Sequence, residues 1–422
     1  MKQYVDFNLK EWIEYLENSH QQEIQLELSR IKKVAQSLDL LAPKAKIITV
    51  AGTNGKGSTV ATLEAIYHEA GYQVASYTSP HLLYFNERIK INRKPIKNKE
   101  LCKAFSVIEQ GRGKVDLTFF EMVTLAALWH FKHFELDVII LEVGLGGNFD
   151  ATNIIDCDLA IITTIDLDHQ AYLGNTVEEI GYAKAGILRR NKPFIFADRH
   201  PPTTVLNQAL ALLTPSYICG KDYDYRLAEE TIELRFQGQL IKLPRPKLHP
   251  NSVCAAVLAS LLLIKDLPLN PSHWEKALKK LFLSGRLELI NAEFTTLLDV
   301  SHNPQAAKLL AEFIQKYQPK KAVHAVFSAL KDKDIPGLIA PLLDCVDTWF
   351  PALLPGKRAA SKEQITLAFK INGLNVICYD NPLLAYKAAS DSAQPGDLIV
   401  VYGSFITVAE VKPFLEEKNL TE

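Results

Sequence analysis

The segment Val50-Ala-Gly52-Thr-Asn-Gly55-Lys56-Gly57-Ser58-Thr59 brings glycines, a lysine and hydroxyls together between a β-rich stretch and a helical one. Glycines let backbone N–H groups wrap around phosphate oxygens, and a helix N-terminus favours the anion. Lys56 supplies a point charge, and a hydroxyl can hold Mg2+. The pattern is not a strict Walker A, because Val50 stands where its first glycine belongs and Gly57 follows the lysine where Ser or Thr is expected. Asp137-Val-Ile-Ile-Leu-Glu142 is an apolar stretch that ends in a carboxylate. An acid at the carboxyl end of a parallel strand beside a phosphate loop is where a Mg2+ ligand is expected, although a Glu there can also cap the next turn. Leu159–Ile165 opens into Asp166-Leu-Asp168-His169, and Ser79-Pro80-His81 follows the stretch Gln73–Tyr77. A lone histidine is more often a core residue than a ligand, so the argument for a site is that four strand ends converge.

The elements that must position these residues alternate. Lys46–Val50, Asp137–Leu141, Leu159–Thr164 and Lys192–Ala197 read as strands, and Thr59–Ala70, Glu121–Phe134 and Thr176–Leu188 as helices. Strand and helix in turn imply an α/β fold with a mostly parallel sheet covered on both faces. Ahead of them, Leu26, Ile31, Ala35 and Leu38 predict one or two amphipathic helices over Glu11–Leu38. From Glu293 the alternation restarts, with strands expected at Thr295–Val300, Ala322–Phe327, Thr348–Phe350, Asn375–Cys378 and Asp397–Tyr402. Helices over Ala306–Tyr317 and Leu383–Ala393 complete a second, smaller α/β unit, with the boundary near Gly285–Ala292 after a helix at Asn251–Lys265.

Composition excludes several classes. With 422 residues, 48% apolar and 23% charged, the chain can bury two cores and is not disordered. Its 47 Lys+Arg against 48 Asp+Glu argue against a nucleic-acid-coating or membrane-tethering surface. No apolar run is long enough for a bilayer span, and the acidic start lacks a secretory signal, so a cytoplasmic protein is expected. Six scattered cysteines without a C-x-x-C pair read as reduced thiols and disfavour structural zinc.

Seven ordered segments carry a resemblance: Gly52-Thr-Asn-Gly-Lys-Gly-Ser58, Thr78-Ser-Pro-His-Leu82, Glu142-Val-Gly-Leu-Gly-Gly147, Asp150-Ala-Thr-Asn153, Leu167-Asp-His169 with Leu173-Gly174, Lys184-Ala-Gly186, and Ser301-His-Asn-Pro304. They resemble the folylpolyglutamate synthases of the Mur ligase superfamily, in particular the bacterial form that is also a dihydrofolate synthase. The resemblance implies an N-terminal P-loop-type domain, residues 1–286, for ATP and pterin. It implies a smaller Rossmann-like α/β domain, residues 287–422, for glutamate. The implied activity is an ATP-dependent amide ligase joining L-glutamate to dihydropteroate, tetrahydrofolate or its polyglutamates through an acyl phosphate. Mg2+ (one or two ions) and ATP as co-substrate are implied, K+ is left open, and the expected partners are these small molecules, with the chain a monomer.

Carried over position by position, Thr53, Asn54, Gly55, Lys56, Gly57 and Ser58 hold the ATP phosphates, with Asn251, Arg286 and Asp299 also contacting nucleotide. Ser79, Glu142 and His169 coordinate Mg2+. Lys184 falls where the family has a lysine carbamylated by CO2, which turns a cation into a carboxylate. With Lys56 and His302 it forms the catalytic group, and Asp299 and His302 also face the glutamate site. Thr118, Phe119, Phe120 and Glu121, together with Phe149, Asp150 and Ala151, receive the pterin. Without the resemblance, Lys184 reads as a solvated helix lysine, Arg286 as a hinge ion pair and the phenylalanines as core.

Three residues depart from the family pattern: Asn148 replaces an arginine, Phe149 a leucine, and Ser301 an alanine or glycine, the last an innocuous change. The run Lys90-Ile-Asn-Arg93-Lys94-Pro-Ile-Lys97-Asn-Lys99 reads as a solvated face or as an attractor for a polyglutamate tail. A muramyl-peptide-type ligase is the alternative, disfavoured by the short stretch ahead of the loop. A non-catalytic nucleotide switch leaves Glu142, His169 and Asp299 without a purpose.

Overall fold

The computed structural model describes residues 4–19, 25, 27–291, 294–318 and 320–421. They form two compact units, Met1–Leu281 and Phe282–Glu422. Leu26, Ala292 and Glu293, on which parts of the sequence reading rest, lie outside the described residues.

In the first unit, β1 (Lys46–Ala51) is buried at every position after Lys46, a continuous rather than alternating pattern that fits a strand covered on both faces. It joins β2 (Val74–Tyr77), β3 (Ile89–Ile91), β4 (Lys94–Pro95), β5 (Val138–Glu142), β6 (Leu159–Ile162), β7 (Phe194–Phe196) and β8 (Ser216–Ile218). The order is β4-β3-β2-β5-β1-β6-β7-β8, parallel except for β3 and β4. Those two form an edge hairpin that turns at Asn92 and Arg93 (φ 50° and 64°) and takes up the basic run, leaving Arg93, Lys94, Lys97 and Lys99 exposed.

The predicted N-terminal helical segment is two helices, α1 (Leu9–Ser19) and α2 (Ser29–Ser37). They pack with α4 (Asn98–Arg112) and α5 (Phe119–Phe131) on one core holding Trp12, Ile31, Phe105 and Phe131. Between them in sequence, α3 (Lys56–Glu69) follows β1 and packs on α9 (Pro250–Leu262) and α10 (Pro271–Lys279). The short α6 (Gln170–Leu173), α7 (Val177–Ala185) and α8 (Thr203–Ala211) follow β6 and β7. An antiparallel sheet of β9 (Tyr223–Leu227), β10 (Thr231–Phe236) and β11 (Gln239–Pro244) is an addition that the alternation did not reveal.

The second unit is a five-stranded sheet, β12-β13-β16-β14-β15, parallel apart from β12. Its strands are β12 (Glu288–Asn291), β13 (Thr295–Leu298), β14 (Val323–Phe327), β15 (Thr348–Pro351) and β16 (Leu398–Tyr402). Helices α11 (Pro304–Lys316), α12 (Ile335–Ile339), α13 (Lys362–Ile371) and α14 (Pro382–Ser392) lie between them in sequence, and α15 (Phe405–Thr421) follows β16. Leu310, Phe327, Phe369 and Tyr402 centre its own core. The strand expected at Asn375–Cys378 does not form. The alternating pattern is there, but only Tyr379 reaches the sheet, as an isolated bridge to Ala352, and Ile377 is 79% exposed. No helix among the described residues is long and apolar enough to cross a membrane, and the six cysteines are free.

Candidate active site

Because β2, β5, β1 and β6 are parallel neighbours, their carboxyl ends open on one edge of the sheet. β1 runs into Gly52, where φ is 147° and a Cβ would stand 1.8 Å from Thr163 Oγ1, so only glycine fits this approach. The loop is stapled to the exit of β6. Thr53 N donates to Thr164 O at 2.7 Å, Asn54 N to Thr164 Oγ1 at 3.1 Å, and Thr163 Oγ1 to Asn54 O at 2.6 Å. Thr53 Oγ1 also donates to Asp166 O at 3.2 Å. Gly55 adopts φ 88° and caps α3 with no side-chain bond, so the first turn at Lys56, Gly57 and Ser58 presents its N–H groups as an anion site. Sequence reasoning missed Thr163 and Thr164, whose signal was a pair of hydroxyls at the end of an apolar strand.

Two lysines converge on one carbonyl. Lys56 Nζ donates to Gly52 O at 3.0 Å and to Thr53 O at 3.1 Å, while Lys184 Nζ, from the last turn of α7, donates to Gly52 O at 2.9 Å. Lys184 is 4% exposed, not a solvated helix lysine. Burial first and the Lys56 charge second pull its pKa down to about 7, against the opposing pull of Asp168 and Asp150.

Glu142, 4% exposed at the end of β5, accepts from Ser79 N at 3.3 Å through Oε2, and that oxygen lies 3.8 Å from where a Cβ on Gly57 would stand. The predicted ligands Glu142 and Ser79 are therefore neighbours facing the loop. His169 sits in the loop after β6 with φ 52°, its backbone N–H bonded to Asp168 Oδ1 at 2.9 Å. The carboxylate and hydroxyl oxygens suit a hard divalent cation, for which the imidazole is a borderline ligand. Among the described residues no three His, Cys, Asp or Glu groups could close around a metal, so phosphate oxygens would have to complete such a set.

The residues matched to pterin divide into two kinds. Thr118 and Glu121, each 3% exposed, cap α5: Glu121 N donates to Thr118 Oγ1 at 3.3 Å and Thr118 N to Glu121 Oε2 at 2.8 Å. Arg30 of α2 donates to both Glu121 oxygens at 3.1 and 3.2 Å, a partner the sequence did not signal. Asp150, also 3% exposed, accepts from Leu145 N at 2.8 Å and Thr152 N at 3.0 Å. Burial pushes its pKa up, and these hydrogen bonds oppose the rise. Ala151 follows it in a buried turn. Phe119 and Phe120 are half-buried, Phe120 lying 5.8 Å from the Tyr77 ring. Phe149 is 55% exposed and so is not core. Asn148, where the family has arginine, donates from its backbone to Ala183 O at 2.9 Å, beside Lys184.

Asn251 opens α9 and its Oδ1 accepts from Tyr225 of the three-stranded sheet, while the next residue, Ser252, donates to Gly55 O at 3.2 Å. In the second unit, Asp299 follows β13, accepting from Leu287 N and Ser301 N, both at 2.9 Å. Ser301 Oγ donates to Asp299 as well, so this departure supplies a bond rather than being merely innocuous. His302 Nδ1 lies 2.9 Å from Val300 O and its ring 5.9 Å from Phe405, over which Arg286 stacks at 5.4 Å. Asn303 caps α11.

The chain is similar to known proteins in sequence and in fold. Residues 50–243 match the Mur ligase middle domain and residues 285–405 the Mur ligase glutamate ligase domain. The dihydrofolate synthase/folylpolyglutamate synthase of Escherichia coli (strain K12) is 39% identical over 412 residues, 97% of this chain and 96% of that one. The structure of E. coli FolC in complex with DHPP and ADP superposes with a TM-score of 0.93 at 36% identity, covering 99% of this chain and 100% of that one. A bifunctional folylpolyglutamate synthase/dihydrofolate synthase with Mn, AMPPNP and L-glutamate bound gives 0.91 at 38% identity, over 99% and 100%. Similarity of this extent, carried across both units, means that the chain belongs to the dihydrofolate synthase/folylpolyglutamate synthase family of Mur ligases.

Proposed function

We propose that this chain, an ATP-dependent ligase joining glutamate to folates, performs two additions. It adds L-glutamate to dihydropteroate, giving dihydrofolate, and to tetrahydrofolate or its polyglutamates. The acceptor carboxylate attacks the γ-phosphate of ATP and ADP leaves. The glutamate amine then attacks the acyl phosphate and inorganic phosphate leaves. Such chemistry asks for positioning and charge neutralisation more than for covalent participation by the protein.

The loop from Thr53 to Ser58 cradles the phosphates with its N–H groups, and Lys56 swings from Gly52 O to their charge. Ser79, Glu142 and His169 would hold Mg2+, whose contribution is to neutralise charge on the phosphate oxygens. Asn251 serves the adenine side, and Arg286, Asp299 and His302 serve nucleotide and glutamate. The observation that carries the reading is Lys184: a buried amine with a pKa near 7 is largely neutral in mildly alkaline solution and can add CO2. The carbamate would replace a cation–cation contact with Lys56 by an ion pair. Phe149, Phe119 and Phe120 offer flat faces for the pterin. The enzyme acts in this reading as a cytoplasmic monomer.

Phosphate release from Mg-ATP with L-glutamate and either dihydropteroate or tetrahydrofolate, with mass detection of the product, tests it. Release with both establishes two activities, and release with tetrahydrofolate alone removes the first. Silence with both moves the substrate to the muramyl-peptide class.

A further inference from the structure

Arg88 closes the short turn Phe85–Arg88 and is only 9% exposed. Its Nε donates to His81 Nδ1 at 3.0 Å, and its guanidinium lies over the rings of Phe85 and Phe119 at 5.1 and 5.7 Å. Among the described residues Nη1 and Nη2 donate no hydrogen bond and no carboxylate pairs with them. The acids nearby are committed to backbone. Glu87 accepts from Leu82 N, Leu83 N and Tyr84 N at 2.8, 3.0 and 2.7 Å, and Glu142 accepts from Ser79 N. His81 does not neutralise the charge either: its Nδ1 accepts from the guanidinium, so the ring faces Arg88 as an acceptor and orients it.

Glu142 and Glu87 favour the Arg88 charge from a distance, but a buried cation with no direct ion pair is still costly, and an apolar side chain between two phenylalanines would be cheaper. A guanidinium kept there implies an anion that comes with the ligand. Thr78 N donates to Arg88 O at 2.9 Å, which ties the arginine to the segment bearing Ser79, and Phe119 ties it to the start of α5. We propose that Arg88 is the subsite for the acceptor's carboxylate, its two free Nη groups receiving both oxygens in the fork that guanidinium makes. This rests on the folate-ligase reading. It adds a positioning residue for the attacking group, held by Phe85, Phe119 and His81.

The test is equilibrium binding of dihydropteroate and of its neutral carboxamide to wild type, Arg88→Met and Arg88→Lys. Wild type should prefer the acid by about tenfold or more, Arg88→Met should bind the two alike with the carboxamide affinity kept, and Arg88→Lys should recover part of the preference. KM for dihydropteroate should rise in Arg88→Met while KM for ATP stays within about twofold. Its melting temperature should equal or exceed that of wild type, because a buried unpaired charge is gone. Equal weakening of both ligands by Arg88→Met, or a wild type indifferent to the charge, overturns the subsite. A wild type that binds neither ligand overturns the folate reading itself. Should Arg88→Met fail to fold, Arg88→Gln makes the same comparison.

Discussion

Lys184 shows how far a single residue's environment decides its chemistry. Held out of water and beside Lys56, its amine loses its proton near pH 7, whereas in the unfolded chain it does so near 10.5. Between those values the unfolded state binds more protons, so stability rises with pH across this window, and below about pH 7 the full cost of a buried ammonium is carried. Lys184→Met removes that cost. In CO2-free buffer it should be more stable than wild type at pH 7 by on the order of a few kcal/mol, an advantage that fades towards pH 10. Urea unfolding at several pH values measures this, and parallel curves for the two proteins would contradict it. The same variant should show no turnover, and only wild type should gain a carbamate in mass spectra taken under CO2.

At the scale of elements, the start of α5 depends on a pair far apart in sequence. Glu121 closes the cap with Thr118 but carries a charge at 3% exposure, and Arg30 is what balances it. Arg30→Met leaves that carboxylate unpaired and should cost roughly 3 kcal/mol, while Thr118→Ala, which removes one cap bond, should cost about 1 kcal/mol. Chemical denaturation would separate the two, and similar losses would mean that the ion pair is merely superficial. This pair also marks the limit of what sequence revealed. The phosphate loop, Glu142 and the alternation of strand and helix are local patterns, so spacing alone located them. The staple from Thr163 and Thr164, the Tyr225 contact to Asn251, and Arg30 on Glu121 are made between distant segments that no local pattern links. Asn375–Cys378 failed in the opposite way, since alternation promises a face to bury but not a neighbouring strand to pair with.

For the molecule as a whole, the core around Trp12 and Phe105 and the core of the second unit share no residue. One runs from Trp12 to Ile218, the other from Leu297 to Tyr402. The second unit, of about 140 residues, is within the usual size of a domain that folds alone, and the first, of 281, lies at its upper edge. Chemistry-bearing residues are divided in the same way. The loop Thr53–Ser58 with its Thr163 and Thr164 staple, Ser79, Glu142, Lys184 and Asn251 belong to the first unit, whereas Arg286, Asp299 and His302 belong to the second. Residues 1–281 produced alone should therefore unfold cooperatively and bind a non-hydrolysable ATP analogue within about tenfold of the whole chain, a difference near 1.4 kcal/mol. They should release no phosphate with any acceptor, because the residues proposed for glutamate are missing. Titration calorimetry and a phosphate assay on the same sample measure both. Nucleotide binding lost together with a normal unfolding transition would mean that Arg286 and Asp299 carry most of the nucleotide affinity. A piece that does not fold would mean that the first core needs the second.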